Sequence, residues 1–215
     1  MTLESSKNLG GIGAILLFIG VIPFVQFLWV IGLVGVILVL VALHGLANYY
    51  RESGIFSNAI YGLVAGVVGG VIAVAVAIFT VLTSLTDFIH ALYPDWNGDW
   101  TTLQGLTPNT ANVTPSDILP FVAGIFLVIA VVWMFAIIAA FFVRRSLKQV
   151  SAKSNVGLFG TTGLLLLIGA ALIIIFGLGL ILMWIAALVL AIAFFTLKPQ
   201  ELPVATAAPP PPTPV

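Results

Sequence analysis

Long uncharged apolar stretches, separated by short polar breaks, make up most of this chain. Uncharged runs cover residues 8–50, 53–86, 118–143 and 154–197. A helix advances 1.5 Å per residue and the hydrocarbon core of a bilayer is about 30 Å thick, so about 20 apolar residues cross it, and every run exceeds that. The first and last are too long for one crossing, since as single rods they would measure about 65 Å. Each contains a break: Pro23 followed by Phe24, Val25 and Gln26 in the first, and Gly177, Leu178 and Gly179 in the last. Proline removes a helix donor and glycine permits a turn. The pattern therefore predicts six transmembrane helices, at residues 9–22, 27–46, 59–85, 118–143, 156–176 and 180–197. The fold class expected is an all-α polytopic membrane protein of three hairpin-like pairs. The first apolar segment covers only about 21 Å, so its helix is expected to begin earlier, with Ser5 or Ser6 as a cap, or to lie tilted in a thinned bilayer.

Charge sets the orientation. Lys and Arg collect in cytoplasmic loops near span ends, and six spans with both termini cytoplasmic put Lys7, Arg51, Arg144, Arg145, Lys148, Lys153 and Lys198 all on that side. Collapsing either hairpin into one helix would set Lys7 against Arg51, or Lys153 against Lys198. The outer loop, about residues 88–116, has no basic residue and is flanked or occupied by Asp87, Asp95, Asp99 and Asp117. Aromatics fit the same placement, with Tyr49 and Tyr50 near the inner edge and Trp96 and Trp100 in the outer loop. Trp133 and Trp184 fall inside spans, where an indole N–H calls for a neighbouring carbonyl. A cleaved leader in place of the first span lacks an A-x-A-like site after the apolar run.

Composition strengthens the membrane reading: 61% of the 215 residues are hydrophobic and 7% are charged, with a mean hydropathy of +1.26. Soluble domains run about 25% charged, so too little polar surface exists here to cover a core in water. The absence of Cys removes disulfides, thiolate nucleophiles and thiolate-held metals. A net charge of zero gives no general attraction to nucleic acid. Residues 1–198 are expected to form the six-span domain. Residues 199–215, rich in proline, are expected to be a disordered cytoplasmic tail, or more sharply a ligand for a proline-recognising partner.

Three pairs that all start inside would be related by a parallel repeat. Gly10, Gly13 and Gly20 resemble Gly160, Gly163 and Gly169, and the lead-in at residues 46–56 resembles that at 147–159.

Candidate chemistry is sparse. His44 and His90 fall near opposite membrane surfaces, and no catalytic triad, H-E-x-x-H, G-x-S-x-G or phosphate-binding glycine loop is present. Asp87 and His90 share a helical face, and with Asp95 and Asp99 they form the one grouping suited to a divalent cation, although carboxylates beside water are ordinarily solvated. The spans carry no ionisable relay residue; their polar groups are Gln26, Asn58, Tyr61, Thr80, Thr83, Ser84, Thr161 and Thr162. The expectation is thus no catalytic residue, no cofactor and no metal. Gly62, Gly66 and Gly70, continued by Ala73 and Ala77, are the predicted helix-packing stripe, because small residues let helices approach closely where lipid supplies no hydrophobic drive. Asn112-Val113-Thr114 is a glycosylation sequon, with Pro115 directly after it.

The stretches LESSKNLGGIGAILLFIG, ALHGLANYYRESGIFSNAIYG and KSNVGLFGTTGLLLLIGAALIII, with the ending AALVLAIAFFTL, resemble a family of small archaeal and bacterial membrane proteins catalogued as domain of unknown function 996. The resemblance covers residues 3 to about 197 and is weak through the outer loop. It implies multi-spanning membrane residence and carries over no catalytic residue. The expected role is a structural or accessory component of the cell membrane, with a small passive channel or permease as the alternative. The expected partners are the bilayer and a membrane protein or second copy, met most readily at the outer loop with its Tyr93, Trp96 and Trp100.

Overall fold

The computed structural model describes residues 2–20, 28–175 and 177–199. Among these the protein is all-helical, with seven α-helices: α1 (Leu3–Gly20), α2 (Leu28–Tyr50), α3 (Ser53–Thr80), α4 (Thr86–Leu92), α5 (Pro115–Ser154), α6 (Gly157–Leu172) and α7 (Leu178–Phe195). A π turn, Val81–Leu85, joins α3 to α4 without a break, so Ser53–Leu92 is one 40-residue apolar rod. Four helical stretches are long and apolar enough to cross a membrane: Val30–Tyr50, Ser53–Leu92, Pro115–Ser154 and Leu178–Phe195; Gly157–Leu172 is apolar but shorter. The break expected at Pro23 lies outside the described residues. The break at Gly177 is present, where a φ of 72° turns the chain from α6 into α7 through a conformation that glycine adopts at no steric cost.

The helices pack as a closed ring in chain order, α1 on α2, α2 on α3, α3 on α5, α5 on α6, α6 on α7 and α7 back on α1. Close backbone approach explains the tight seams. A Cβ added at Gly35 would lie 2.6 Å from the Gly13 carbonyl oxygen, and one at Gly169 would lie 2.9 Å from the Gly179 carbonyl oxygen. The glycines at the α1–α2 and α6–α7 crossings thus let backbone rest directly on backbone. Two tryptophans fasten the far ends of other seams. Trp184 donates its indole N–H to the Phe18 carbonyl at 2.9 Å and stacks on the Phe18 ring at 4.4 Å, while Trp133 donates to the Ala171 carbonyl at 3.1 Å. Both indoles therefore have the carbonyl partners that their place in apolar spans requires.

The three helices that leave the basic end of the bundle start on one pattern. Leu3, Ile55 and Phe159 are buried, and the residue three positions later in each is a buried polar one, Ser6, Asn58 and Thr162. Each polar side chain donates to the carbonyl four residues back: Ser6 to Thr2 at 3.2 Å, Asn58 to Gly54 at 2.6 Å and Thr162 to Leu158 at 2.9 Å. Their donors are thereby satisfied inside the helix, so they can be buried without a partner elsewhere. The turns before α3 and α6 also match, each passing through a left-handed residue, Arg51 with φ 52° and Asn155 with φ 57°. A parallel relation among the hairpins is therefore visible, but its register differs from that of the glycine pattern. Aligning the buried starts pairs Gly13 with Gly169 rather than with Gly163, and Gly13 and Gly169 are the two residues that sit at the hairpin crossings.

Leu46, Ile55, Leu147, Val150, Phe159, Phe194 and Leu197 form the heart of a core at this basic end. Around it, Ser146 donates to the Ile55 carbonyl at 2.6 Å and Lys153 pairs with Glu52 at 3.3 Å, linking the two turns. The opposite end differs. The 40-residue α5 is about 60 Å long and the 16-residue α6 about 24 Å. The α3–α5 hairpin therefore continues about 25 Å past the ring rim that the Trp133–Ala171 bond marks on α5. Out there its side chains are apolar and exposed, Phe79 at 68%, Leu82 at 70% and Phe126 at 66%.

The packing stripe on α3 is not the one expected. Gly62 meets α5, where a Cβ would lie 2.8 Å from Val143 Cγ2 and 3.0 Å from the Ala139 carbonyl oxygen, and Gly69 lies against Phe135. Gly66 and Gly70 have open space around the Cβ position. The reason is helical drift: a four-residue step overshoots a 3.6-residue turn by about 40°, so the residues facing α5 recur nearer seven apart. The buried set is accordingly Ile55, Gly62, Gly69, Ala73 and Thr80, with Asn58 and Ala59 at the base. Gly62→Leu or Gly69→Leu should therefore destabilise the fold by about 1–3 kcal/mol through overpacking, whereas Gly66→Leu and Gly70→Leu should leave the thermal midpoint in detergent within error of wild type. Equal losses across all four variants would mean that this face assignment is wrong.

Candidate functional site

The ring encloses an apolar cavity of about 400 Å³ to which all six ring helices contribute, including Leu17 of α1, Leu40 of α2, Gly66 of α3, Val143 of α5, Leu166 of α6 and Leu190 of α7. Gly66 belongs here, where the missing side chain leaves volume. A second cavity of about 330 Å³ lies on the other side of the α2–α3 seam, lined by Ile37, Leu40, Val41, His44, Phe56 and Ile60. Leu40 lines both. This seam is the lightest contact of the ring. Leu63 and Val67, which also line the larger cavity, are 37% and 58% exposed. The interior space thus reaches the lateral surface between α2 and α3.

At the foot of that seam the polar groups gather on α2. His44 Nε2 and Asn48 Nδ2 lie 3.2 Å apart, and His44 packs edge-on to Phe56 at 4.6 Å. His44 and Asn48 follow one another at helical spacing on α2, Arg51 is the left-handed residue just past its end, and all three are exposed. Glu52, the acid nearest in sequence, is engaged by Lys153. Nothing in the sequence pattern marked His44 as part of a cleft; its neighbours across the seam come from α3 and become visible only when α2 and α3 are paired.

The outer loop does not assemble a cation site. Among the described residues no three His, Asp or Glu side chains converge. His90 packs on Trp96 at 4.9 Å, Trp96 packs on Trp100 at 4.9 Å, and the Trp96 indole donates to the Asp99 carbonyl at 2.7 Å. Asp99 caps a short 3₁₀ turn, Trp100–Gly105, by accepting from the Thr101 N–H at 2.9 Å and the Thr101 hydroxyl at 2.8 Å. The Asp99 carboxylate therefore serves a local turn. Trp96 is buried and Trp100 is half exposed, so the loop is folded around one indole and presents the other. Asn112 ends a second 3₁₀ turn, Thr110–Asn112.

Asp117 plays the same part at the start of α5, where its carboxylate accepts from the Thr114 hydroxyl at 2.7 Å and the Thr114 N–H at 2.9 Å. Those bonds, hydroxyl first and backbone second, hold its pKa below the ordinary carboxylate value. For Asp99 the Thr101 N–H comes first and the hydroxyl second, with the same direction. A carboxylate whose pKa is lowered by folding contributes stability above its unfolded pKa, about 3.9 for Asp, and loses it as pH falls through the lower folded value. Amide hydrogen exchange, corrected for intrinsic rates, should show the first turn of α5 opening in that acidic window and not above about pH 5. Asp117→Asn should make its protection independent of pH across the window; a wild-type-like pH response in that variant would contradict the assignment.

The sequence model of the family described as protein of unknown function (DUF996) matches residues 31–188. That span runs from near the start of α2 into α7, and so includes the whole lining of the smaller cavity, most of that of the larger one and the loop between α4 and α5. An uncharacterised protein of Methanocaldococcus jannaschii is 28% identical over 204 residues, covering 94% of this chain and 96% of that one. No solved structure matches. With most of its length, including the α2–α3 and α5–α6 hairpins, inside the matched region, the chain belongs to the DUF996 family of proteins of unknown function.

Proposed function

We propose that this protein is a non-catalytic structural or accessory component of the cell membrane, crossing it six times with both termini cytoplasmic. The observation that carries the reading is the joint placement of charge and core. The turns at Arg51 and Asn155, and the ends of α1 and α7 that bear Lys7 and Lys198, meet around one core at one end of the ring. Basic residues at one end of an apolar bundle are the pattern expected of a cytoplasmic face. Helices α1 and α6 are short for a crossing, and a bilayer thinned around the ring, with tilted helices, accommodates them at modest cost. An interior lined by Leu, Val, Ala and Gly side chains favours a filled centre over a conducting one, because a path for polar solutes needs polar groups along it. In this reading residues 1–198 are the membrane domain and residues 199–215 a cytoplasmic tail, the outer loop offers Trp100 to a membrane-protein partner or second copy, and the Asn112 sequon falls on the outer side.

Because the chain has no Cys, single cysteines report topology without background. Ser53 and Thr102 are both exposed, one beside the α2–α3 turn and the other in the outer loop. In intact cells a membrane-impermeant maleimide should label Thr102→Cys directly and Ser53→Cys only after permeabilisation. Direct labelling of Ser53→Cys, or equal labelling of the two, would overturn the orientation.

A further inference from the structure

We propose that the apolar cavity is a binding site for one hydrocarbon chain of an anionic membrane lipid, which enters between α2 and α3 and keeps its headgroup at His44, Asn48 and Arg51. The proposal rests on membrane residence as read above and adds a ligand to it.

Four observations converge. The larger cavity, about 400 Å³, is within the range of small-molecule sites, which run about 300–1,000 Å³, and its lining is aliphatic or glycine throughout, so it suits a chain and not a polar solute. It has a lateral mouth, formed where α2 and α3 touch most lightly and where Leu63 and Val67 stand exposed. The second cavity, which shares Leu40 with the first and takes its α3 wall nearer the basic end, at Phe56 and Ile60, contains one polar side chain, His44. A molecule threading both would therefore be apolar along its length and polar at one end. Charge complementarity then selects the headgroup. Arg51 is exposed just past the end of α2, at the basic end of the bundle below His44, and the adjacent acid, Glu52, is turned to Lys153 at 3.3 Å. An exposed guanidinium with donors above it suits a phosphate.

Helix drift separates the two open glycines of α3 for a decisive test. Gly66 lines the cavity and Gly70 does not, although neither has an atom within 4 Å of the Cβ position. The full-length protein is reconstituted in phosphatidylcholine vesicles containing phosphatidylglycerol with a photoreactive diazirine near the end of one chain, and the crosslinked peptides are mapped by mass spectrometry. Wild type should give saturable labelling concentrated on the α2–α3 seam and the cavity wall, competed by unlabelled phosphatidylglycerol. Gly66→Trp should reduce labelling by about tenfold, the equivalent of denying burial to two methylenes, while Gly70→Trp should retain it. Arg51→Gln should weaken labelling by phosphatidylglycerol and leave labelling by a diazirine phosphatidylcholine unchanged.

Labelling spread evenly over the exposed faces of α3 and α5, or lost equally in Gly66→Trp and Gly70→Trp, would overturn the site. Equal labelling by the two lipids, with no effect of Arg51→Gln, would overturn the choice of an anionic headgroup. Flotation of the vesicles separates these failures from failure of the underlying reading, because a protein that does not reside in membranes would stay behind when the vesicles float.

Discussion

Lipid gives one apolar helix no hydrophobic reason to leave it for another, so the fold depends on how closely helix backbones can approach. Every tight seam of the ring bears this out. Gly13 rests on Gly35, Gly169 on Gly179, Gly62 on Ala139 and Val143, Gly163 on Arg144, and Gly10 on the Phe194 ring. Dispersion between atoms in contact is small for each pair and falls off steeply with separation, which is why a methyl group in the wrong place matters more here than a lost surface charge. Backbone hydrogen bonds remain inside each helix, and buried side-chain donors bond to carbonyls, as Ser6, Asn58 and Thr162 do to their own helices and Ser146 does across a seam.

That constraint is met unevenly, and the unevenness creates the functional features. At the basic end the ring closes over Leu46, Ile55, Val150, Phe159 and Phe194, all wholly buried. Between α2 and α3 the contact is the lightest of the ring, so the seam parts above the turn and the interior cavity reaches the lateral surface. Among the described residues, α3, α4 and α5 are the helices that continue at the loop end, and beyond the ring their apolar side chains stand exposed. A cavity at one level and an exposed hairpin at another both follow from a ring whose strongest contacts sit elsewhere.

Much of this was legible in the sequence. Run lengths, the Gly177 turn, the need of Trp133 and Trp184 for carbonyl partners and the family resemblance all depend on local chemistry, and local chemistry is what a sequence displays. Which face of α3 meets α5 was misread, because a Gly-x-x-x-Gly spacing looks continuous in one dimension yet drifts around a long helix; Gly62 kept its role, Gly69 took that of Gly66, and Gly70 points away. The repeat was sensed, but glycine spacing set it in the wrong register, since the equivalence rests on burial of Leu3, Ile55 and Phe159, three different residue types. The outer-loop acids were expected to be simply solvated, because turn capping by Asp99 and Asp117 appears only once Thr101 and Thr114 are placed beside them. The cavity was invisible for a simpler reason: its wall is drawn from six helices, and none of them holds a distinctive residue there.

The central claim is that the six helices form one closed ring, joined where α1 meets α7, the segments farthest apart in the chain. In a cysteine-free chain this junction is open to direct measurement with spin labels at Asn8→Cys and Thr196→Cys, both exposed and next to the seam formed by Gly11 and Phe195. Pulsed electron resonance in bilayers should give a short, narrow distance distribution of the kind produced by helix axes about 8–10 Å apart. A broad distribution, or a separation of several helix diameters, would contradict the ring.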